Sequence, residues 1–317
     1  MSIEHDAPRT LDTIAIGDVQ ITRVVEWHGP IAPGPEVFPD APEPVWQRHA
    51  DWLVPDFWEP RTTFFKANMQ TWVLRSEGQV ILVDTGLGDD KERPYATPWA
   101  HLRTGFLERL AAAGVQPEDV DIVVNTHVHA DHVGWNTRLV DGQWVPTFPR
   151  ARYLIPKADF TFWNPLNGHP KRGSLGGINA ALGNQNMFED SVRPVHEHGQ
   201  ADLWEESHRI DGNLELEAMP GHTPGTSMLS LRSGSERALF VGDLLHSPLQ
   251  FVEPHAEVCL SEDAPAAVRQ RNRMLERAAE TRALVLPAHL PGPGAAEVRR
   301  DGATFAISHW APFSPAR

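Results

Sequence analysis

The 317-residue chain has one cysteine, two tyrosines and fewer basic than acidic residues. A lone Cys259 excludes an intrachain disulfide, and with no base identifiable beside it the thiol reads as a packed side chain rather than a nucleophile. Tyr95 and Tyr153 are the only phenols, and Tyr153 falls in the apolar run Arg152–Ile155, which reads as strand interior. No apolar run approaches the ~20 residues of a membrane helix. Lys and Arg total 28 against 42 Asp and Glu, a formal charge of −14. No basic patch is visible, which argues against a nucleic-acid surface. The same balance disfavours anionic substrates, although a metal site would be positive locally. The opening Met1–Asp6 has neither a basic start nor an apolar core, so a cytoplasmic location is the expectation.

The chain does have histidine in a telling place. His127-Val128-His129-Ala130-Asp131-His132 packs four potential metal ligands into six residues, directly after the apolar stretch Asp121–Thr126. A strand is expected there, and two residues apart on extended backbone His127 and His129 point the same way. Asp131 and His132 then turn into a following helix and offer a second pair of ligands. Imidazole and carboxylate suit zinc and similar first-row divalent ions. Three further places end an apolar strand in a candidate ligand: Met219–Gly225 around His222, Ala238–Asp243, and Ala283–His289. Strand ends are where an α/β scaffold gathers functional groups.

These motifs resemble the metallo-β-lactamase superfamily, whose signature is HxHxDH followed by a distant His, a distant Asp and a last His. Val80–Gly86 is similar to that family's early strand ending in Asp-Thr-Gly. The resemblance spans about residues 64–310 and implies an α/β fold, an αββα sandwich of two mixed sheets with outer helices. It implies two divalent metal ions, zinc first, with iron, manganese or cobalt as alternatives. His127, His129 and His222 would bind one, and Asp131, His132 and His289 the other. Asp243 and a water or hydroxide would bridge them, and Asp84 would orient the ligands by hydrogen bonding. Asp131 and Asp243 are then the expected catalytic carboxylates, with Asp131 passing a proton to the leaving group.

The expected activity is metal-dependent hydrolysis of an ester, lactone or related small neutral substrate. A phosphotriesterase or hydrolytic dehalogenase would use the same machinery. An iron-dependent redox enzyme, similar to the sulfur dioxygenases of the family, is the alternative of a different class, disfavoured because all seven ligand positions are filled. Homoserine lactonases of this family commonly place a tyrosine near the metals, and neither tyrosine here fits that role. Trp135, Phe160, Trp163, His246 and Phe251 are candidates for the substrate pocket.

Strand-like runs are expected near Val19–Val25, Met69–Arg75, Val80–Val83, Ile122–Asn125, Arg152–Ile155, Leu214–Ala218, Ser227–Leu231, Ala238–Val241 and Ala283–Leu286. Helices are expected near Trp99–Ala113, Lys157–Trp163, Gly176–Met187 and Asp263–Glu280. Without a linker or internal repeat, residues 61–317 read as one domain. Residues 1–60 stand apart: Ile31–Pro60 is rich in Pro and Trp, which reads as an ordered arm, neither mostly helix nor central strand. The arm packs over the active-site mouth, supports a homodimer by packing on a second subunit, or wraps the surface of its own domain. The expected partner is a small molecule, with no nucleic acid and no membrane.

Overall fold

The computed structural model describes residues 11–94, 96–168 and 184–315. Tyr95 and most of the helix expected at Gly176–Met187 lie outside them. Among the described residues the strands form sheets of nine, seven and two strands. The first sheet contains β1 (Asp12–Ile16), β2 (Val19–Pro33), β3 (Trp58–Glu59), β4 (Phe64–Ser76), β5 (Gln79–Val83), β6 (Ile122–Val124), β9 (Arg152–Pro156), β10 (Ala201–Trp204) and β18 (Ser314–Pro315). Its order is β10-β9-β6-β5-β4-β2-β1-β18, with β3 pairing β4. The second runs β11 (Ser207–Arg209), β12 (Leu214–Ala218), β13 (Ser227–Ser233), β14 (Glu236–Gly242), β15 (Leu284–Pro287), β16 (Ala296–Asp301) and β17 (Thr304–Trp310) in sequence order. β7 (Thr137–Val140) and β8 (Gln143–Pro146) form a separate hairpin.

Period-two alternation builds three apolar layers. In β5, Ile81 and Val83 face the space between the sheets while Val80 and Leu82 face the other way; in β14, Ala238 and Phe240 face inward and Leu239 and Val241 outward. Both faces of these strands are covered, which is why their sequences are apolar throughout rather than alternating with polar residues. The outer face of the first sheet packs against α4 (Phe106–Ala112) through Phe106 and Leu110. The outer face of the second packs against α8 (Ala264–Thr281) through Met274, Leu275 and Ala278. Between these two in the chain lie the short helices α5 (Lys157–Trp163), α6 (Arg193–Glu197) and α7 (Leu249–Val252). The order of layers is helix, sheet, sheet, helix, as the resemblance implied. Asp263 caps α8, its carboxylate accepting from the Ala266 N–H at 2.9 Å, with Pro265 in the first turn.

The Pro- and Trp-rich stretch is ordered, and it is built into the sandwich. β2 pairs with β4 along its length, and three short helices, α1 (Gly34–Val37), α2 (Glu43–Arg48) and α3 (Ala50–Leu53), follow it. The first two carry Pro in their opening turn, where its missing N–H costs nothing. Phe38, Trp46, Leu53 and Trp58 are buried in the same layer as α8. Composition changes at residue 60, but the packing of residues 12–59 is continuous with the rest.

A bulge in β2 between Val25 and Trp27 brings Glu26 into the interior. Its carboxyl accepts from the N–H groups of Leu87 (2.6 Å), Gly88 (3.2 Å) and the Trp135 indole (2.7 Å), and from the Thr104 hydroxyl (3.1 Å). It thereby pins the loop after β5. Burial pushes this carboxyl up to about 7 from 4.5, with the hydrogen bonds pulling against it.

Two outcomes are expected from this packing. Each fully buried aromatic of the 34–59 stretch is worth ~2–3 kcal/mol, so deleting residues 1–60 should abolish cooperative thermal unfolding; a truncated chain with a sharp transition would contradict this. Glu26 has a folded pKa above its unfolded one, so its contribution is fully favourable below pH ~4.5 and is lost as pH rises through about 7. The loss is ~3 kcal/mol. Urea titrations from pH 4.5 to 8 should show a steeper decline for the wild type than for Glu26→Gln; equal slopes would refute the burial argument.

Candidate metal centre

β5 and β6 run parallel in one sheet and β14 and β15 run parallel in the other. Their C-terminal ends open on one edge of the sandwich, and each end carries a polar residue: Asp84 after β5, His127–His132 after β6, Asp243 after β14, His289 after β15. The loop after β12 adds His222. Two backbone features make the approach possible. Asp84 sits at φ 56°, in the left-handed region that a β-branched residue avoids but Asp tolerates. Gly242 has φ 46°, and a Cβ there would lie 2.5 Å from Thr126 Oγ1, so only glycine lets β14 end against the His127 strand.

The side chains converge in two groups. In the first, His129 Nδ1 lies 3.0 Å from His127 Nε2 and 3.1 Å from His222 Nε2. In the second, His132 Nε2 lies 3.2 Å from His289 Nε2, with the Asp131 carboxylate 3.8 Å and 3.6 Å from them. Asp243 stands between the groups. Its Oδ2 is 3.6 Å from His127 and 3.2 Å from His222, and its Oδ1 is 3.2 Å from His132 and 2.9 Å from His289.

The outward-facing nitrogens are held by hydrogen bonds. Asp84 Oδ2 lies 2.9 Å from His132 Nδ1, and the His289 Nδ1–H donates to the Asn68 carbonyl at 2.9 Å. The Thr126 hydroxyl donates to Asp84 Oδ2 (2.8 Å), leaving its lone pairs toward His127 Nδ1 at 3.2 Å. Asp84 Oδ1 also accepts from the Thr126 N–H at 2.8 Å. These partners leave His127, His132 and His289 with an Nε2 lone pair facing the centre. His129 presents Nδ1 instead.

Electrostatics agree with a site for cations. Burial, and then the neighbouring imidazoles, hold His127 and His129 well below 6.5, as neutral ligands require. Burial is the largest effect and works to lower His132 and His289, but the carboxylates together raise both: Asp243, Asp84 and Asp131 for His132, and Asp243 and Asp131 for His289. Burial works to raise the Asp243 carboxyl, while His289, His132, His246 and His127 together hold it well below 3.8.

These donors fit divalent metal ions. Zinc–nitrogen bonds of about 2.0–2.1 Å put neighbouring donors of a tetrahedron roughly 3.3 Å apart, close to the 3.0–3.2 Å between ring nitrogens within each group. Asp243 Oδ1, though buried within 3.2 Å of two imidazole nitrogens, makes no hydrogen bond. Donors that approach one another without aligning are aimed at a shared third point.

A cavity of about 290 Å³ opens over the centre, with His129, Asp131, His222, Asp243, His246 and His289 as its floor. Its walls include Trp27, Ile31, Phe65, Met69, Trp99 and Leu260, and no Lys or Arg lines it among the described residues. Of the expected pocket residues, His246 lines this cavity, buried, with Nε2 3.0 Å from Asp243 Oδ2. Trp163 packs edge-on to His129 at 5.4 Å between rings but does not line the cavity. The other three expectations are corrected. Trp135 stacks on Phe106 in the outer core and donates to Glu26. Phe160 packs on Phe188 and His196. Phe251 is buried in the layer beneath α8. Trp135 and Phe251 follow a ligand motif in sequence, but the chain turns into the core there. Trp27 and Phe65 come instead from β2 and β4, far from any motif, and their signal was the aromatic-rich N-terminal region.

Tyr153 is buried, its hydroxyl donating to the Asn136 carbonyl (3.1 Å) and accepting from the Phe148 N–H (3.1 Å), away from the metals' floor. Cys259 is half-buried, and burial raises its thiol above 9, as befits an unreactive side chain. No motif in the sequence singles out Asp159. Its carboxylate joins two ligand loops, accepting from the N–H of Val128 (2.7 Å) and Gly225 (2.5 Å) and from the Thr223 hydroxyl (2.8 Å). No helix among the described residues is long and apolar enough to cross a membrane.

Comparison with known proteins agrees with this geometry. The profile of the metallo-beta-lactamase superfamily matches residues 69–289. Metallo-beta-lactamase domain-containing protein 1 of Mus musculus is 52% identical over 75 residues, which is 24% of this chain and 21% of that protein. The chain thus matches about a fifth of that relative's length. Two solved structures share the fold at 23% identity: AidC, a dizinc quorum-quenching lactonase (TM-score 0.72, covering 97% of this chain and 99% of that one), and the hydrolase AbOPH (TM-score 0.76, 95% and 98%). The chain belongs to the metallo-beta-lactamase superfamily.

Proposed function

We propose that the protein is a dinuclear metal hydrolase of small, uncharged esters or lactones with an apolar substituent. The observation that carries this reading is a pair of donor groups sharing Asp243 at the floor of an apolar cavity with no Lys or Arg among its described lining residues. His127, His129 and His222 would hold one cation, Asp131, His132 and His289 the other, and Asp243 would be shared by both. Zinc suits this set of nitrogen and carboxylate donors best. When bound, the two cations supply Lewis acidity and a water that ionises near neutral pH.

The protein's own residues do the rest. Asp84, Thr126 and Asn68 keep the imidazoles in the tautomer that presents a lone pair. Asp131 is the more open carboxylate, 15% exposed against 4% for Asp243, and is placed to take a proton and return it to the leaving alkoxide. His246 faces the cavity with no hydrogen-bond partner for Nδ1 among the described residues, and it is placed to meet the substrate oxygen. Trp27, Ile31, Phe65 and Met69 receive the apolar part and exclude water. A phosphotriester, neutral and apolar, satisfies the same cavity.

Three outcomes test this. The wild type purified with zinc should hold about two ions per chain, while Asp243→Ala should lose at least one and at least 100-fold in kcat/KM, which is ~2.7 kcal/mol of transition-state stabilisation. Retention of both ions and full turnover by the variant would remove Asp243 from the centre. In a panel of p-nitrophenyl esters, lactones, phosphotriesters and nucleotides, neutral apolar compounds should lead by at least ~10-fold, about 1.4 kcal/mol. Preference for the polyanions would overturn the substrate assignment.

A further inference from the structure

The His222 side of the centre is tied to a buried charge on a helix that contributes no ligand. Arg271 of α8 is fully buried. Its Nε–H donates to the carbonyl of Leu244, the residue after Asp243, at 2.7 Å, and its NH1 group donates to the carbonyls of Pro254 (3.0 Å) and Ala256 (3.1 Å). Its NH2 group donates to Glu257 Oε2 at 2.5 Å. The other Glu257 oxygen accepts the Ser261 hydroxyl at 2.8 Å, and Ser261 Oγ lies 3.1 Å from His222 Nδ1. Gln250 adds a branch, donating to the Ala256 carbonyl (2.7 Å) and accepting the His246 N–H (2.7 Å).

The direction of the hydrogens along this chain is determined. A guanidinium only donates, and a carboxylate only accepts. Ser261 has one hydrogen, and Glu257 takes it. Ser261 therefore has only lone pairs for His222, whose proton must sit on Nδ1, leaving Nε2 bare toward His129 and Asp243. We infer that Ser261, Glu257 and Arg271 form a positioning relay that sets the tautomer of His222 and, through Leu244, the placement of Asp243. This inference rests on the reading of the centre as dinuclear. Thr126 and Asp84 do the equivalent for His127, so each side has a hydroxyl whose hydrogen is drawn off by a carboxylate.

Glu257→Gln reverses the relay. With the amide oxygen facing Arg271, the amide NH2 faces Ser261 and takes the place of the oxygen that accepts the Val258 N–H at 3.0 Å, and the serine hydrogen turns to His222 Nδ1. The proton then belongs on Nε2, where it blocks the ligand. Ser261→Ala removes the acceptor and leaves the Arg271–Glu257 pair intact, and Ser261→Thr restores it.

The experiment is zinc binding to the metal-free full chain in competition with a chelator, together with nitrogen-15 NMR of the imidazoles in the zinc-loaded protein. Glu257→Gln and Ser261→Ala should weaken one of the two zinc ions roughly 10–100-fold while the other keeps its affinity. Ser261→Thr should recover wild-type binding, and only the His222 resonances should change in Ser261→Ala. Thermal unfolding of the metal-free proteins tells loss of fold from loss of positioning: Ser261→Ala should melt near the wild type. Two zinc ions of wild-type affinity in both Ser261→Ala and Glu257→Gln would overturn the relay and leave the dinuclear reading standing. Equal weakening of both ions would also overturn it. A wild type that binds no zinc would overturn the dinuclear reading and the relay with it.

Discussion

Asp243 is a carboxylate only 4% exposed, with one oxygen toward His132 and His289 and the other toward His127 and His222. A charge so far from water is costly unless other charges or donors surround it. The imidazoles of His289, His132, His246 and His127 provide that surrounding. The requirement reaches well beyond the ligands. Each imidazole must present a lone pair, so its far nitrogen must carry the proton, and something behind it must accept that hydrogen bond. Asp84 stands behind His132, the Asn68 carbonyl behind His289, and the Thr126 and Ser261 hydroxyls behind His127 and His222.

The sandwich makes such a cluster possible. Parallel neighbours β5 and β6, and β14 and β15, bring strand ends from both sheets to one edge. There the backbone has left its ladder and its side chains are free to converge. Asp159 braces two of the loops and Glu26 a third, each as a lone carboxyl surrounded by backbone N–H donors. Burial raises both carboxyls, Asp159 to about 6 and Glu26 to about 7, a penalty accepted for rigid loops.

Much of this could be read from the sequence, for local reasons. The nine expected strands all exist, because apolar runs four to seven residues long and bounded by Gly, Pro or charge have few other fates. α8 begins at the capping Asp263 as its Asp-Ala-Pro start suggests. The helix expected at Trp99–Ala113 shrinks to Phe106–Ala112, with a short 3-10 turn at Thr97–Trp99, since Gly105 sits at φ 67° and breaks it. The hairpin of β7 and β8 and strands β16 and β17 were not expected; their segments carry Arg, Asp and Gln, and only pairing with neighbours makes them strands.

By itself the sequence picked out the candidate donors and the strand ends on which they gather, because HVHADH and three strand-end residues depend only on local spacing and polarity. Tertiary structure alone decided which side chains cover the donor groups and which brace them. Trp27, Phe65 and Met69 reach the cavity only because β2 and β4 pass over the centre, and Trp135 leaves it because its indole finds Glu26 across the sheet. Arg271 reads as one more basic residue on a helix until packing buries it against Glu257 and the Leu244 carbonyl. Contacts between residues distant in the chain depend on how two sheets stack, and no local pattern of polarity encodes that.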